Sequence, residues 1–241
     1  MTDLNTSAEA KITDETAIGF IPCYRLPFIS FYNSDNMAIM KTFKDKEFDL
    51  AIVDPPYGIG ADLKNSKREL KSKKSAAISS DFGGQIWDSA IPTEEYFAEL
   101  KRISKKQIIW GANHFELPQS RGWIFWDKLM DKGFSLADGE LAWTSFDKAV
   151  KKFTYLWAGF KKAKPENRIH PTQKPVDLYR FCLQNYANKG MKILDTHGGS
   201  MNSAIACEIE GFDLDICEID SEYFEAGVNA FNLHKRQQRL F

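Results

Sequence analysis

Met191-Lys192-Ile193-Leu194-Asp195, followed by Thr196-His197-Gly198-Gly199-Ser200, is the stretch whose reading decides the fold. The first five residues read as a strand. Gly198 and Gly199 let the backbone come close to a ligand. Ala204, Ile205, Ala206 and Ile209 then continue as a helix that ends near Gly211, and a helix start at such a turn favours a carboxylate or phosphate. A second strand, Phe212 to Glu218, ends in an acid 23 residues after Asp195. That acid is placed to accept hydrogen bonds from two ribose hydroxyls. Strand, glycine turn, helix and acid-tipped strand make the first half of a nucleotide-binding α/β fold. The chain has neither G-x-G-x-x-G nor a Walker lysine, which argues against a dinucleotide and against an NTPase. A nucleoside ligand without a pyrophosphate fits better.

Towards the N-terminus, Phe28 to Tyr32 reads as a strand, Asp35 sits in a short turn, and Met37 to Phe43 reads as a short helix. The apolar run Phe48 to Val53 reads as a buried strand leading into Asp54-Pro55-Pro56-Tyr57-Gly58. This β-α-β opening predicts a parallel sheet. Two consecutive prolines remove two backbone donors and fix φ, so the chain leaves the sheet as a stiff turn. An acid and an aromatic ring are thereby held past a strand's carboxyl end, where open α/β sheets bind ligands. Further on, Thr93 is a helix cap before Tyr96, Phe97, Leu100 and Ile103. Gln107 to Trp110 and Gly122 to Trp126 read as strands, the second with a hairpin partner at Glu140 to Thr144. Pro175 opens one helix and Ser221 another.

The chain has 241 residues, 43% of them hydrophobic and 27% charged. The expected organisation is a flexible polar tail over 1–20 and a single domain over 21–241. No apolar run approaches the ~20 residues of a membrane span, and no leader peptide is evident, so a cytoplasmic protein is expected. Cys23, Cys182, Cys207 and Cys217 show no C-x-x-C or zinc spacing, which predicts reduced thiols and no metal site. The net charge of −1 gives no overall field for nucleic acid, so any such contact needs local patches. Two segments qualify. Residues 58–91 hold Lys64, Lys67, Arg68, Lys71, Lys73 and Lys74; residues 145–169 hold Lys151, Lys152 and Arg168 among Phe153, Tyr155 and Trp157. The first reads either as a solvated, flexible run or as a phosphate-contacting loop, and the second either as an amphipathic strand with a solvated lysine edge or as a DNA-contacting segment.

Four ordered motifs add a resemblance. Residues 54–60 (D-P-P-Y-G-I-G), 170–175 (H-P-T-Q-K-P), 195–200 (D-T-H-G-G-S) and 217–223 (C-E-I-D-S-E-Y) together resemble the amino-methyltransferases of DNA, over roughly residues 28–230. The catalytic motif comes first and the cofactor motif last, as in the permuted β group of that family. The resemblance implies a Rossmann-like methyltransferase fold of the α/β class. It would have a mostly parallel central sheet, a β-hairpin strand and a circularly permuted motif order. It implies S-adenosylmethionine (SAM) as cofactor and double-stranded DNA with a flipped base as substrate. No nuclease motif is evident, which suggests a solitary modification enzyme of bacterial or phage type, and members of the group often form homodimers. The catalytic residues would be Asp54, Pro55, Pro56 and Tyr57. The cofactor would meet Asp35, Asp54, Thr172, Gln173, Lys174, Asp195, His197, Gly199, Ser200 and Glu218, with Glu218 on the ribose and Lys174 neutralising the SAM carboxylate.

The chemistry suits these residues. An exocyclic amine is a poor nucleophile because its lone pair is delocalised into the ring. Asp54 and the Pro55 carbonyl can accept its hydrogens and favour a pyramidal nitrogen, while Tyr57 stacks on the base. A sulfonium leaves readily, so positioning should supply most of the rate. D-P-P-Y favours adenine N6 over cytosine N4; the alternatives are cytosine N4, an RNA or protein amide, or a catalytically silent SAM- or DNA-binding subunit. The chain departs from the family at His197 (usually Phe), Met201 (usually Gly), and Asn202 and Ser203 (usually Thr). Met201 is expected to crowd the turn if the backbone there needs a positive φ.

Overall fold

The computed structural model describes residues 24–25, 28–59, 88, 91–130, 137–157 and 168–238. Among them nine strands form one sheet: β1 (Tyr24–Arg25), β2 (Ile29–Asn33), β3 (Phe48–Val53), β4 (Ser104–Trp110), β5 (Trp123–Asp127), β6 (Gly139–Thr144), β7 (Lys151–Thr154), β8 (Lys192–Asp195) and β9 (Asp213–Glu218). Five α-helices accompany them: α1 (Asn36–Met40), α2 (Glu94–Ile103), α3 (Val176–Tyr186), α4 (Asn202–Glu210) and α5 (Ser221–Gln238). The strand order is β1-β2-β9-β8-β3-β4-β6-β5-β7. The five central strands, β2 to β4 in that order, run parallel. β6 enters antiparallel to β4 and β5, forming the expected hairpin strand.

Both faces of the sheet are covered, which is why its central strands read as continuous apolar runs. Leu50, Ile52, Ile108 and Trp110 pack on one side with Leu178 of α3, Ala204 of α4 and Phe231 of α5. Ala51, Val53 and Ile109 pack on the other with Met40 of α1 and Phe97 and Leu100 of α2. The connection from β3 through α2 to β4 thus lies on one face, and that from β8 through α4 to β9 lies on the other. The two diverge between the adjacent strands β3 and β8, a topological switch point whose crevice opens at the strands' carboxyl ends. Asp54 and Asp195 stand at those two ends.

Local signals set the element bounds. Thr93 caps α2, its Oγ1 accepting from Tyr96 N at 3.4 Å, and Gly211 ends α4 at φ 75°. The first helix is shorter than its pattern suggests, stopping at Met40, and β4 begins three residues early because Ser104 already pairs with Phe48. The basic-aromatic segment after β6 supplies an edge strand, β7, parallel to β5. Phe153, Tyr155 and Trp157 pack against the core, while Lys152 lies at the solvent edge, paired with Asp127 at 2.9 Å. Lys64, Lys67, Arg68, Lys71, Lys73 and Lys74 lie outside the described residues, as do residues 1–20. Among the described residues no helix is long and apolar enough to cross a membrane.

Candidate active site

Asp54 leaves β3 into the proline turn and is met there by residues distant in sequence. Tyr57 Oη donates to Asp54 Oδ1 at 2.7 Å, and Lys174 Nζ donates to Asp54 Oδ2 at 2.5 Å. Lys174 Nζ also reaches Tyr57 Oη at 3.0 Å and Glu140 Oε2 at 3.2 Å. Its side chain is only 3% exposed, so all three of its donors are engaged inside the protein. Glu140 is held in turn by Lys128, whose Nζ binds Oε1. The cluster contains two acids and two lysines. Burial disfavours charge on Asp54, Glu140 and Lys174, yet Asp54 and Glu140 hold the Lys174 ammonium protonated, above the ordinary lysine value. Burial works against Glu140 too, but Lys174 and Lys128 together bring it down to about 2. Asp54 has only one lysine, and burial together with the Glu140 charge lifts its pKa. Of the two acids, Asp54 is the one that takes a proton more readily.

The turn is braced from beneath. Asp88, fully buried, accepts from the backbone N–H groups of Tyr57 and Gly58 at 2.7 and 2.8 Å through one oxygen. The Tyr57 ring stacks on His114 with centroids 5.1 Å apart and planes 13° off parallel. It also lies against Gly111, where a Cβ would come within 2.0 Å of Cε1. Gly111 additionally sits at φ +68°, so both the close approach and the backbone call for glycine.

The second half of the site is the turn after β8. Asp195 accepts from His197 N at 3.0 Å and from Ser203 Oγ at 2.6 Å, and its burial raises its pKa to about 7. Glu218 accepts from Gly199 N at 2.7 Å and from Asp220 N at 2.9 Å, and a further backbone bond reaches it from Ile219. A carboxylate has about four acceptor sites, so with these bonds made Glu218 still has capacity for a ligand hydroxyl. Burial also raises Glu218. Ile219, beside it, is 65% exposed and offers an apolar surface to a flat ring. His197 Nε2 lies 2.9 Å from Asn36 Nδ2, and His197 Nδ1 lies 2.9 Å from Thr196 Oγ1, itself 2.7 Å from Tyr96 Oη. With the Asn36 amide donating to Nε2, His197 is neutral and carries its proton on Nδ1.

Met201 does adopt the left-handed conformation, at φ 57° and ψ 22°. Its side chain does not crowd the turn, because it folds down into the core between Gly198 and Gly227 and is fully buried. The other departures keep useful partners: Ser203 bonds Asp195, and Asn202 Nδ2 donates to the Lys174 carbonyl at 2.7 Å. Asn202 thereby ties the turn to the H-P-T-Q-K-P loop.

Residues 125–229 match the family model of the DNA methylases. Over those residues the resemblance to the DNA amino-methyltransferases holds, for three of the four motifs. The match includes Glu140, Lys174, Asp195 and Glu218, and Asp54 to Tyr57 precedes it. The chain is 24% identical over 255 residues to the type II methyltransferase M.HpaI of Haemophilus parainfluenzae, covering 86% of this chain and 77% of that one. Among solved structures it is similar to the complex of M1.HpyAVI with SAM (TM-score 0.52, 21% identity, 84% of this chain and 99% of that one). It is also similar to the cytosine-N4-specific PvuII DNA methyltransferase (TM-score 0.53, 14% identity, 85% and 86%). At such identities the structural likeness speaks for the methyltransferase fold.

Set beside the methylase motifs, the structure brings Asp54, Tyr57, Lys174, Asp195, His197, Gly199, Ser200 and Glu218 to one edge of the sheet. Asp35 lies at that edge as the cap of α1, accepting from Ala38 N at 2.9 Å. Thr172 is exposed and bonds His170 Nδ1 at 3.2 Å. Gln173 braces its own loop, accepting from Trp157 Nε1 and Ile169 N at 2.9 and 3.0 Å. Arg168 donates to the Pro171 carbonyl. Lys174 points its ammonium at Asp54 and Glu140. Sequence reasoning missed Asn36, Asp88, His114, Lys128, Glu140 and Ile219. Only Ile219 carried a local signal, as an apolar residue framed by Glu218 and Asp220. Cys182, Cys207 and Cys217 are buried free thiols, and among the described residues no group of His, Cys, Asp or Glu could hold a metal ion.

Proposed function

We propose that this chain methylates the exocyclic N6 amine of adenine in DNA, using S-adenosylmethionine and a base turned out of the duplex. The observation that carries the reading is the meeting, at the crevice between β3 and β8, of an acceptor corner at Asp54 and a cofactor turn at Asp195 to Glu218. The donor set fits the cofactor: Glu218 can accept from a ribose hydroxyl, Ile219 lies beside it, and the buried Asp195 carboxylate lies under the turn. Asp35, Thr172, Ser200 and Gly199 are proposed to meet the cofactor as well. When bound, the cofactor supplies a methyl group on a good leaving group.

Asp54 and the Pro55 carbonyl accept the two amine hydrogens and hold the nitrogen lone pair towards that methyl. Asp54 then keeps the proton that the alkylated nitrogen must lose, a task its raised pKa suits. Tyr57, clamped by His114 and Gly111, gives the base a fixed ring to stack on. Lys151, Lys152 and the basic residues between 64 and 74 are proposed to meet phosphates. Adenine is preferred to cytosine N4 because of the D-P-P-Y form of the corner; the PvuII methyltransferase keeps cytosine as the competing acceptor. The test is incubation of unmethylated genomic DNA with the protein and labelled SAM, then mass spectrometry of the nucleosides. N6-methyl-2′-deoxyadenosine is expected, and an Asp54→Ala protein should yield none. N4-methylcytosine alone refutes the adenine assignment, and full activity of Asp54→Ala refutes the mechanism.

A further inference from the structure

Asp54 cannot serve an incoming amine well in the arrangement described. One of its oxygens accepts from Tyr57 and the other carries the Lys174 ammonium at 2.5 Å. Lone pairs remain, but an ammonium at that distance draws off the negative charge that makes a carboxylate a strong acceptor. The ammonium must slacken its hold when the amine arrives. It has no route to water, being 3% exposed, and an unpaired charge at such a place is costly.

A second carboxylate stands ready. Glu140 Oε2 is 3.2 Å from the same nitrogen, so a shift of well under 1 Å exchanges the closer partner for the farther one. Glu140 is fixed for this task. It sits on β6 in register with Trp126 of β5, and Lys128 from the end of that hairpin holds its other oxygen. The Lys128 contact also keeps Glu140 ionised, as the pull of both lysines to about 2 reflects. Tyr57 Oη lies between the two acids, 2.7 Å from Asp54 and 3.4 Å from Glu140, and can follow the ammonium.

We infer that Glu140 is a positioning residue that draws the Lys174 ammonium away from Asp54, so that Asp54 becomes a free acceptor when the target amine binds. The inference rests on the methyltransferase reading for its purpose, but the sharing of the ammonium is a property of the protein alone. The groups taking part are Asp54 and Tyr57 from the proline turn after β3, Lys128 and Glu140 from the hairpin, and Lys174 from the loop before α3.

Two measurements test it. In the first, single-turnover methyl transfer is compared for wild type, Glu140→Gln, Lys174→Met and the double variant, with SAM affinity measured for each. Glu140→Gln should slow the chemical step about tenfold or more, the scale on which a positioned acceptor acts, and leave SAM affinity unchanged. In the Lys174→Met background the same change should cost little, because no ammonium is left to draw away. Equal losses in both backgrounds, or a wild-type rate for Glu140→Gln, would overturn the inference. The second measurement needs no substrate: the side-chain nitrogen resonance of Lys174 in protein labelled with 15N-lysine. It should persist in Asp54→Asn, with the ammonium carried by Glu140, and be lost to solvent exchange in Asp54→Asn with Glu140→Gln. Loss of the signal in Asp54→Asn alone would show that Glu140 cannot hold the ammonium, and would sink the inference whatever the wild type does to DNA. If the wild type methylates nothing while the signal behaves as expected, the methyltransferase reading falls and the shared ammonium stands.

Discussion

Met201 separates backbone strain from packing. A non-glycine residue at φ 57° gives up about 1–2 kcal/mol, so Met201→Gly relieves that much. The same change removes a fully buried side chain, a loss of the order of 2–5 kcal/mol for truncating a core methionine, and adds chain freedom to the unfolded state. Packing therefore wins, and Met201→Gly should destabilise by about 2 kcal/mol despite restoring the residue usual at this turn. The neighbour sharpens the test. A Cβ on Gly227 would meet Met201 Cγ at 2.4 Å, so Gly227→Ala in wild type costs the 1–3 kcal/mol typical of overpacking, partly offset by about 1 kcal/mol of helix propensity. With Met201 already glycine, that clash is gone and only the 3.3 Å approach to the Gly199 carbonyl remains. Gly227→Ala should then be neutral or stabilising, a coupling of about 2 kcal/mol between the sites. Urea denaturation of the four proteins measures it. A Met201→Gly protein as stable as wild type, or a Gly227→Ala cost that is the same in both backgrounds, would refute this account.

Two further outcomes follow from the same geometry. Gly111→Ala places a methyl 2.0 Å from Tyr57 Cε1 at a left-handed backbone, so it should displace the ring and cut methyl transfer at least tenfold while SAM affinity holds; normal turnover would mean that the Tyr57 position does not matter. His197 is held neutral, its pKa lowered by burial from 6.5 to about 3. Below 6.5 the unfolded chain binds a proton that the folded chain does not, so this contribution is full above that pH and is lost as pH falls towards 3. His197→Gln should therefore flatten the fall of stability between pH 6 and 4 by up to about 1 kcal/mol per pH unit, as read from urea midpoints; parallel curves for the two proteins would contradict it.

What the sequence disclosed and what it hid divide along physical lines. Features set by neighbours in sequence were legible: the Thr93 cap, the Gly211 stop, the strand into Asp54 and the acid-tipped strand at Glu218. The chance of a positive φ at Met201 was readable from the family turn, but the room that Gly227 leaves for its side chain was not, because that contact joins a helix cap to another helix. Glu140 was quoted only as the first residue of a strand; its meeting with Lys174 depends on a hairpin register that no local pattern reveals. The rings of Phe153, Tyr155 and Trp157 looked equally suited to stacking on bases and to packing, and the structure turns them to the core.

The permuted strand order also bears on how the protein is made. β2 finds its parallel partner only in β9, with Ile29 beside Leu214, and β3 waits for β8, with Leu50 beside Ile193. During synthesis the strand carrying Asp54 must keep an apolar edge uncovered until some 140 further residues have been added. Closing such long loops makes sheet formation a late and slow event, with partly assembled chains open to mispairing. The crevice between β3 and β8 is therefore among the last parts of the molecule to exist, and a nascent chain cannot bind the methyl donor before it can also present Asp54.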